Sequence, residues 1–131
     1  HFYNPAIHYF VRSRSNAVTA NTGAQFTPSF ATYTGINGEL ILTLGAGHGL
    51  VAGSNTVQIA DNSIIFTCTQ DGNSTEHGYP RSTDPYSGTN IAIASTSTNG
   101  ITVNVGISSA GGLVAPLQME FIASILENST A

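Results

Sequence analysis

The stretch NGELILTL, residues 37–44, decides the fold class. Side chains of an extended chain alternate between its two faces, so Leu40, Leu42 and Leu44 fall on one side and Glu39, Ile41 and Thr43 on the other. That period of two predicts a half-buried strand with its leucine face inward. Asn37-Gly38 tolerates the positive φ of a tight turn, and it links this strand back to one around residues 30–34.

The same alternation recurs on both sides of this stretch. Residues 55–59 place Val57 and Ile59 inward, and residues 63–69 place Ile64, Phe66 and Cys68 inward. Asp61-Asn62 between them supplies turn residues, which predicts an antiparallel hairpin. Residues 91–95 and 101–105 form a second such pair, with Ile93, Val103 and Val105 inward, joined through Thr98-Asn99-Gly100, where Asn-Gly is expected to take the positive φ of a tight turn. In residues 117–126, Leu117, Met119, Phe121, Ala123 and Ile125 alternate against Ile122 and Leu126, the pattern of a strand covered on both faces. Residues 71–88, DGNSTEHGYPRSTDPYSG, break the rhythm with two prolines and three glycines and are expected to form one long loop. Helix formers at helical spacing are almost absent. The expectation is an all-β antiparallel β-sandwich of about seven to eight short strands, since turn signals recur every eight to twelve residues or so.

A chain of 131 residues can bury a core of its own. Charged residues make up only 8% of it; there is no lysine, and the positive charge rests on Arg12, Arg14 and Arg81. With a net charge of −4 and no basic run, it has nothing to neutralise a row of phosphates, so nucleic acid is excluded as a partner. No apolar stretch approaches the roughly 20 residues of a membrane helix, so a soluble protein with no membrane partner is expected. The first residue is His1, which fits a processed product or a piece of a longer polypeptide.

No residue set prescribes a cofactor. Asp71, Asn73 and Thr75 resemble the opening oxygen ligands of a calcium loop, but Glu76 stands where its glycine belongs and Ser82 where its final glutamate belongs. A solvated polar turn is the simpler reading. His1, His8, His48 and His77 are scattered, and none makes a spaced metal pair. His48, inside the glycine-rich turn GAGHGL, is expected to bond a backbone carbonyl. Cys68 is the single cysteine and is expected to act as a small apolar residue. Serine, histidine and aspartate are all present, but no GxSxG elbow accompanies them, so no enzyme is expected. The candidate ligand loop comprises Asp71, Tyr79, Arg81, Asp84 and Tyr86. There, Arg81 is expected to pair with a neighbouring acid such as Asp71, Glu76 or Asp84, while Tyr79 and Tyr86 either stack on a sugar or pack the loop onto its own sheet.

Three pieces carry a resemblance: SNAVTANTGAQFTPS at residues 15–29, NTVQIADNSIIFTC at 55–68, and YPRSTDPYSGT at 79–89. In their order and spacing they resemble a domain of virion structural proteins of marine tailed phages, especially those of cyanobacteria. The resemblance spans residues 8–106. It implies a particle component without catalytic residues, recurring as a module preceded by a strand like HYFVRSRSNAV. The opening HFYNPA and residues 116–131 depart from the pattern.

In the N-terminal stretch, Ile7, Tyr9 and Val11 lie on one strand face and Ala6, His8 and Phe10 on the other, and neither face suits water. Residues 1–20 are therefore expected to form an assembly segment attached to a sandwich domain over 21–131. Its interface residues would be Ile7, Tyr9, Phe10 and Val11, with Phe121, Ile122, Ile125 and Leu126 at the other end. The resulting expectation is a non-enzymatic structural protein on the virion surface, a tail or fibre module or a capsid decoration. Its partners would be copies of itself and other virion proteins. The alternatives are an adhesion module that binds a host-surface glycan, and the subunit of an extracellular filament joined by strand exchange.

Overall fold

The structure is a computed structural model that describes residues 8–35, 37–68, 72–82 and 84–106. All its regular elements there are strands: β1 (His8–Ser13), β2 (Val18–Ala20), β3 (Gln25–Phe26), β4 (Phe30–Thr34), β5 (Glu39–Thr43), β6 (Thr56–Ile59), β7 (Ile64–Cys68), β8 (His77–Tyr79), β9 (Ile91–Thr96) and β10 (Gly100–Asn104). Every pairing is antiparallel. A three-stranded sheet runs β1-β7-β8, and a seven-stranded sheet runs β3-β2-β6-β9-β10-β5-β4. The two make a β-sandwich.

The core lies between the sheets and follows the alternation read from the sequence. Leu40, Leu42, Val57, Ile59, Ile93, Val103 and Val105 of the larger sheet and its flanks are buried, and Ile64 and Phe66 meet them from the smaller sheet. Cys68 ends β7, and its side chain lies outside the described residues, as does the whole of 117–126. Opposite positions such as Ile41, Gln58 and Asn104 are exposed.

Two of the expected hairpins form. Strands β4 and β5 pair in register from Phe30 opposite Thr43 to Thr34 opposite Glu39, and β9 pairs with β10. Gly38 turns the first with a φ of 79° and donates its N–H to the Thr34 carbonyl at 2.8 Å. Gly100 is needed for another reason than the one expected. It is absent from the positive-φ positions, but a Cβ there would collide with the Leu42 carbonyl oxygen of β5. Gly100→Ala is expected to cost roughly 1–2 kcal/mol, because the obstacle is backbone held in a ladder. Urea denaturation checks this, and an unchanged midpoint would show that β5 and β10 separate freely.

The third hairpin does not form. Strand β6 is paired with β2 and β9, whereas β7 is paired with β1 and β8, so the turn at Asp61-Asn62 carries the chain from one sheet to the other. Asn62 takes a φ of 59°, and its N–H donates to the Pro80 carbonyl at 2.6 Å. The inward faces of β6 and β7 therefore oppose each other across the core instead of lying side by side. One further expectation changes: the stretch 71–88 is not all loop, since β8 lies within it and pairs with β7. Strand β1 lies along β7, and β2 lies between β3 and β6.

Candidate functional site

Strand β1 has β7 on one side and no hydrogen-bonded strand on the other among the described residues. His8 and Phe10 point inward, Tyr9 and Val11 outward. The register slips between Phe10 and Arg12, so Val11 is the extra residue of a bulge and Arg12 resumes opposite Ile65. Tyr9 is 51% exposed and Val11 39% exposed, and both keep their apolar surface in water. Phe10 is half-buried, with its ring edge-on to Phe30 at 5.7 Å and to Phe66 at 6.4 Å. Of the expected assembly residues, Ile7, Phe121, Ile122, Ile125 and Leu126 lie outside the described residues.

His8 is the least expected feature of this strand. Only 4% exposed, it sits edge-on to Tyr33 at 5.1 Å and to Phe66 at 6.4 Å, and neither ring nitrogen has a hydrogen-bond partner among the described residues. Burial, helped by repulsion from His77, pulls its pKa from 6.5 down to about 4. The alternation of residues 6–11 groups His8 with Ala6 and Phe10 on one strand face but does not say which face the core covers.

β4 is the outer strand of the larger sheet, and it comes close to β1 without a hydrogen-bonded ladder between them. Between the two edges runs an apolar groove of about 360 Å³, lined by His8, Tyr9 and Phe10 of β1 and by all of β4. Phe30, 51% exposed, stands in its wall. The sequence could not have revealed this groove, because it depends on two strands far apart in the chain meeting at one edge.

In the candidate ligand loop the tyrosines take the second of the two alternatives and pack inward. Tyr79 belongs to β8, is 0% exposed and packs in the core, so it presents no face to a sugar. Burial pushes its phenol pKa up, and the nearby Asp84 carboxylate adds to the shift. Tyr86 is partly buried against the same core. The two-tyrosine platform is therefore not formed. Asp84 is buried and shapes the turn: one carboxylate oxygen accepts the Arg81 backbone N–H at 2.8 Å, the Asp84 N–H donates to the Arg81 carbonyl at 2.9 Å, and the Asp84 carbonyl accepts the Ser87 N–H at 3.0 Å. Glu76 pairs with Arg12 of β1 at 3.0 Å, tying the loop to the edge strand. Asp71 lies outside the described residues.

His48 bonds backbone as expected: the Leu50 N–H donates to Nδ1 at 3.0 Å, so Nε2 carries the proton and donates to the Ser97 carbonyl at 2.8 Å. A polar cleft of about 370 Å³ lies between Thr19, Gln58, Asp61 and Gly88, where the Ser87 hydroxyl donates to the Asp61 carboxylate at 2.8 Å. Among the described residues, no three His, Cys, Asp or Glu side chains gather as a metal-ligand group. Comparison with family models, curated proteins and solved structures returns no match.

Proposed function

We propose that this chain is a non-enzymatic structural domain of a phage virion, displayed on the particle surface as a tail or fibre module or a capsid decoration, and that it works by associating with copies of itself and with other virion proteins. The observation that carries the reading is the outward face of β1, where Tyr9 and Val11 stand exposed beside a strand edge that is unpaired among the described residues. Apolar side chains flanking a free edge gain free energy when a second surface covers them. The three motif pieces that resemble marine phage virion proteins supply the setting. The glycan-binding alternative loses support because Tyr79 is interior.

Sedimentation equilibrium tests the association. The wild-type chain is expected to self-associate as its concentration rises through the micromolar range. Tyr9→Ser with Val11→Ser is expected to weaken this roughly tenfold or more, about 1.4 kcal/mol, while Ile41→Ser on the outer face of β5 leaves it unchanged. A wild-type chain that stays monomeric throughout that range would overturn the reading.

A further inference from the structure

The groove between β1 and β4 combines an apolar wall with one polar group that has nothing to bond. Phe10 and Phe30 stand in that wall with their rings edge-on, and Ala31 and Tyr33 of β4 continue it. Tyr33 is already committed, since its hydroxyl donates to the Gly106 carbonyl at 2.6 Å. His8 lines the same groove almost fully buried, and neither ring nitrogen has a hydrogen-bond partner among the described residues. Folded proteins rarely leave such a group unpaired, because a hydrogen bond left unmade away from water costs more than a made one returns. Two orphaned nitrogens beside a cavity call for a group that enters it and bonds one of them.

Size and charge narrow the occupant. A volume of about 360 Å³ falls at the small end of ligand pockets, which suits a single ring with a short substituent. No Arg, Lys, Asp or Glu lines the groove among the described residues, so a charged ligand would lose its hydration with nothing to replace it. Burial keeps the imidazole neutral at pH 7, its pKa lowered to about 4, so one of its nitrogens carries no proton and accepts. A hydroxyl group is a neutral donor that meets this need. The Phe10 and Phe30 rings, 5.7 Å apart and inclined at 66°, take a third ring edge-to-face, a contact that an alkyl chain does not make.

We propose that the β1–β4 groove binds a small neutral aromatic alcohol, with its ring packed against Phe10 and Phe30 and its hydroxyl donating to the His8 imidazole. This goes beyond the self-association reading and does not rest on it. The ligand is held within one domain, by the inward residues of β1, whereas association uses the outward face of that strand.

Titration of the isotopically labelled full chain with p-cresol, followed through its amide resonances, tests the site. Its isomer anisole serves as the comparison, because a methyl group there replaces the hydroxyl proton and leaves the number of atoms unchanged. In the wild type, the β1 and β4 amides are expected to shift together and to saturate with p-cresol at a Kd on the order of 1 mM or below, while those of β6 stay in place. Anisole is expected to bind about fivefold more weakly, the loss of one hydrogen bond. Benzoate, an anion, is expected to give no saturable shift. In His8→Phe the preference for p-cresol over anisole disappears. Phe30→Ser changes a half-exposed wall residue and weakens both ligands several-fold. Equal affinity for the two isomers in the wild type, shifts that do not saturate, or shifts spread evenly over remote strands would each overturn the proposal. All three are read on the wild type, so the test stands even if a variant fails to fold. Sedimentation equilibrium reports separately on self-association, and the two readings can fail independently.

Discussion

Phe66→Ala is expected to lower the unfolding free energy by about 3–5 kcal/mol. Phe66 is 0% exposed at the middle of the smaller sheet, with Phe10 of β1 opposite on one side and His77 of β8 on the other. Its ring also meets those of His8 and Phe10 edge-on, so truncation removes aromatic contacts as well as buried area. Both sheets are held by their ladders and cannot close far over the space left behind, so the cavity persists. Ile41→Ala is the control: Ile41 is 42% exposed on the outer face of β5, and its loss is expected to cost less than about 1 kcal/mol. Urea midpoints at constant slope measure both. Equal losses would mean that the inward parity of the strands does not set stability.

Acid is expected to destabilise the domain through His8. The unfolded chain takes up a proton as pH falls through 6.5, whereas the folded chain resists until about 4, because burial and the repulsion of His77 oppose the imidazolium. Across that window the unfolded state binds more protons, so stability falls with pH, by roughly 2 kcal/mol at pH 5. Above the window both states are neutral at this position, and below it both are protonated, so the slope from His8 vanishes at either end. His8→Phe keeps an aromatic ring of similar size and removes the titration. The drop in urea midpoint from neutral pH to pH 5 should then be smaller in His8→Phe than in the wild type, with the carboxylates common to both cancelling. The same drop in both would identify another group as the acid-sensitive one.

Parity was legible in the sequence wherever one face of a strand meets the core. Leu40 against Ile41 and Val57 against Gln58 sort as their alternation predicts, because burial on one side leaves polar or tolerated residues on the other. The hairpins at Asn37-Gly38 and at 97–100 were legible because their turns are short and their partners adjacent. Asp61-Asn62 misled because its turn suits a hairpin or a crossing between sheets equally well. What decided was that β2 and β9 occupy the two edges of β6, which no local signal reports. β8 is hidden in the sequence because His77-Gly78-Tyr79 is too short to show alternation, so nothing local decides between a sugar-stacking Tyr79 and the core residue that the structure shows. Glu76 looked like a partner for Arg81 by nearness in the chain. Its pairing with Arg12 depends on β1 lying next to β7, a contact between distant parts of the sequence.

The seven-stranded sheet is joined in its middle by β10, which alone connects the β4–β5 hairpin to β9 and the strands beyond. β10 is also the last strand in the described chain order. A chain growing from its N-terminus would therefore hold two incomplete sheets, with the flanks of β5 and β9 both open, until residues 100–104 emerged to close them. Ladders such as Leu42 with Ile101 and Phe10 with Phe66 join residues distant in sequence, so loop-closure entropy is spent before the contacts that offset it. Such topologies fold in milliseconds to seconds, not microseconds, and their intermediates expose pairing edges. The vulnerable interval is thus the wait for β10 during synthesis, when a neighbouring nascent chain can pair in its place.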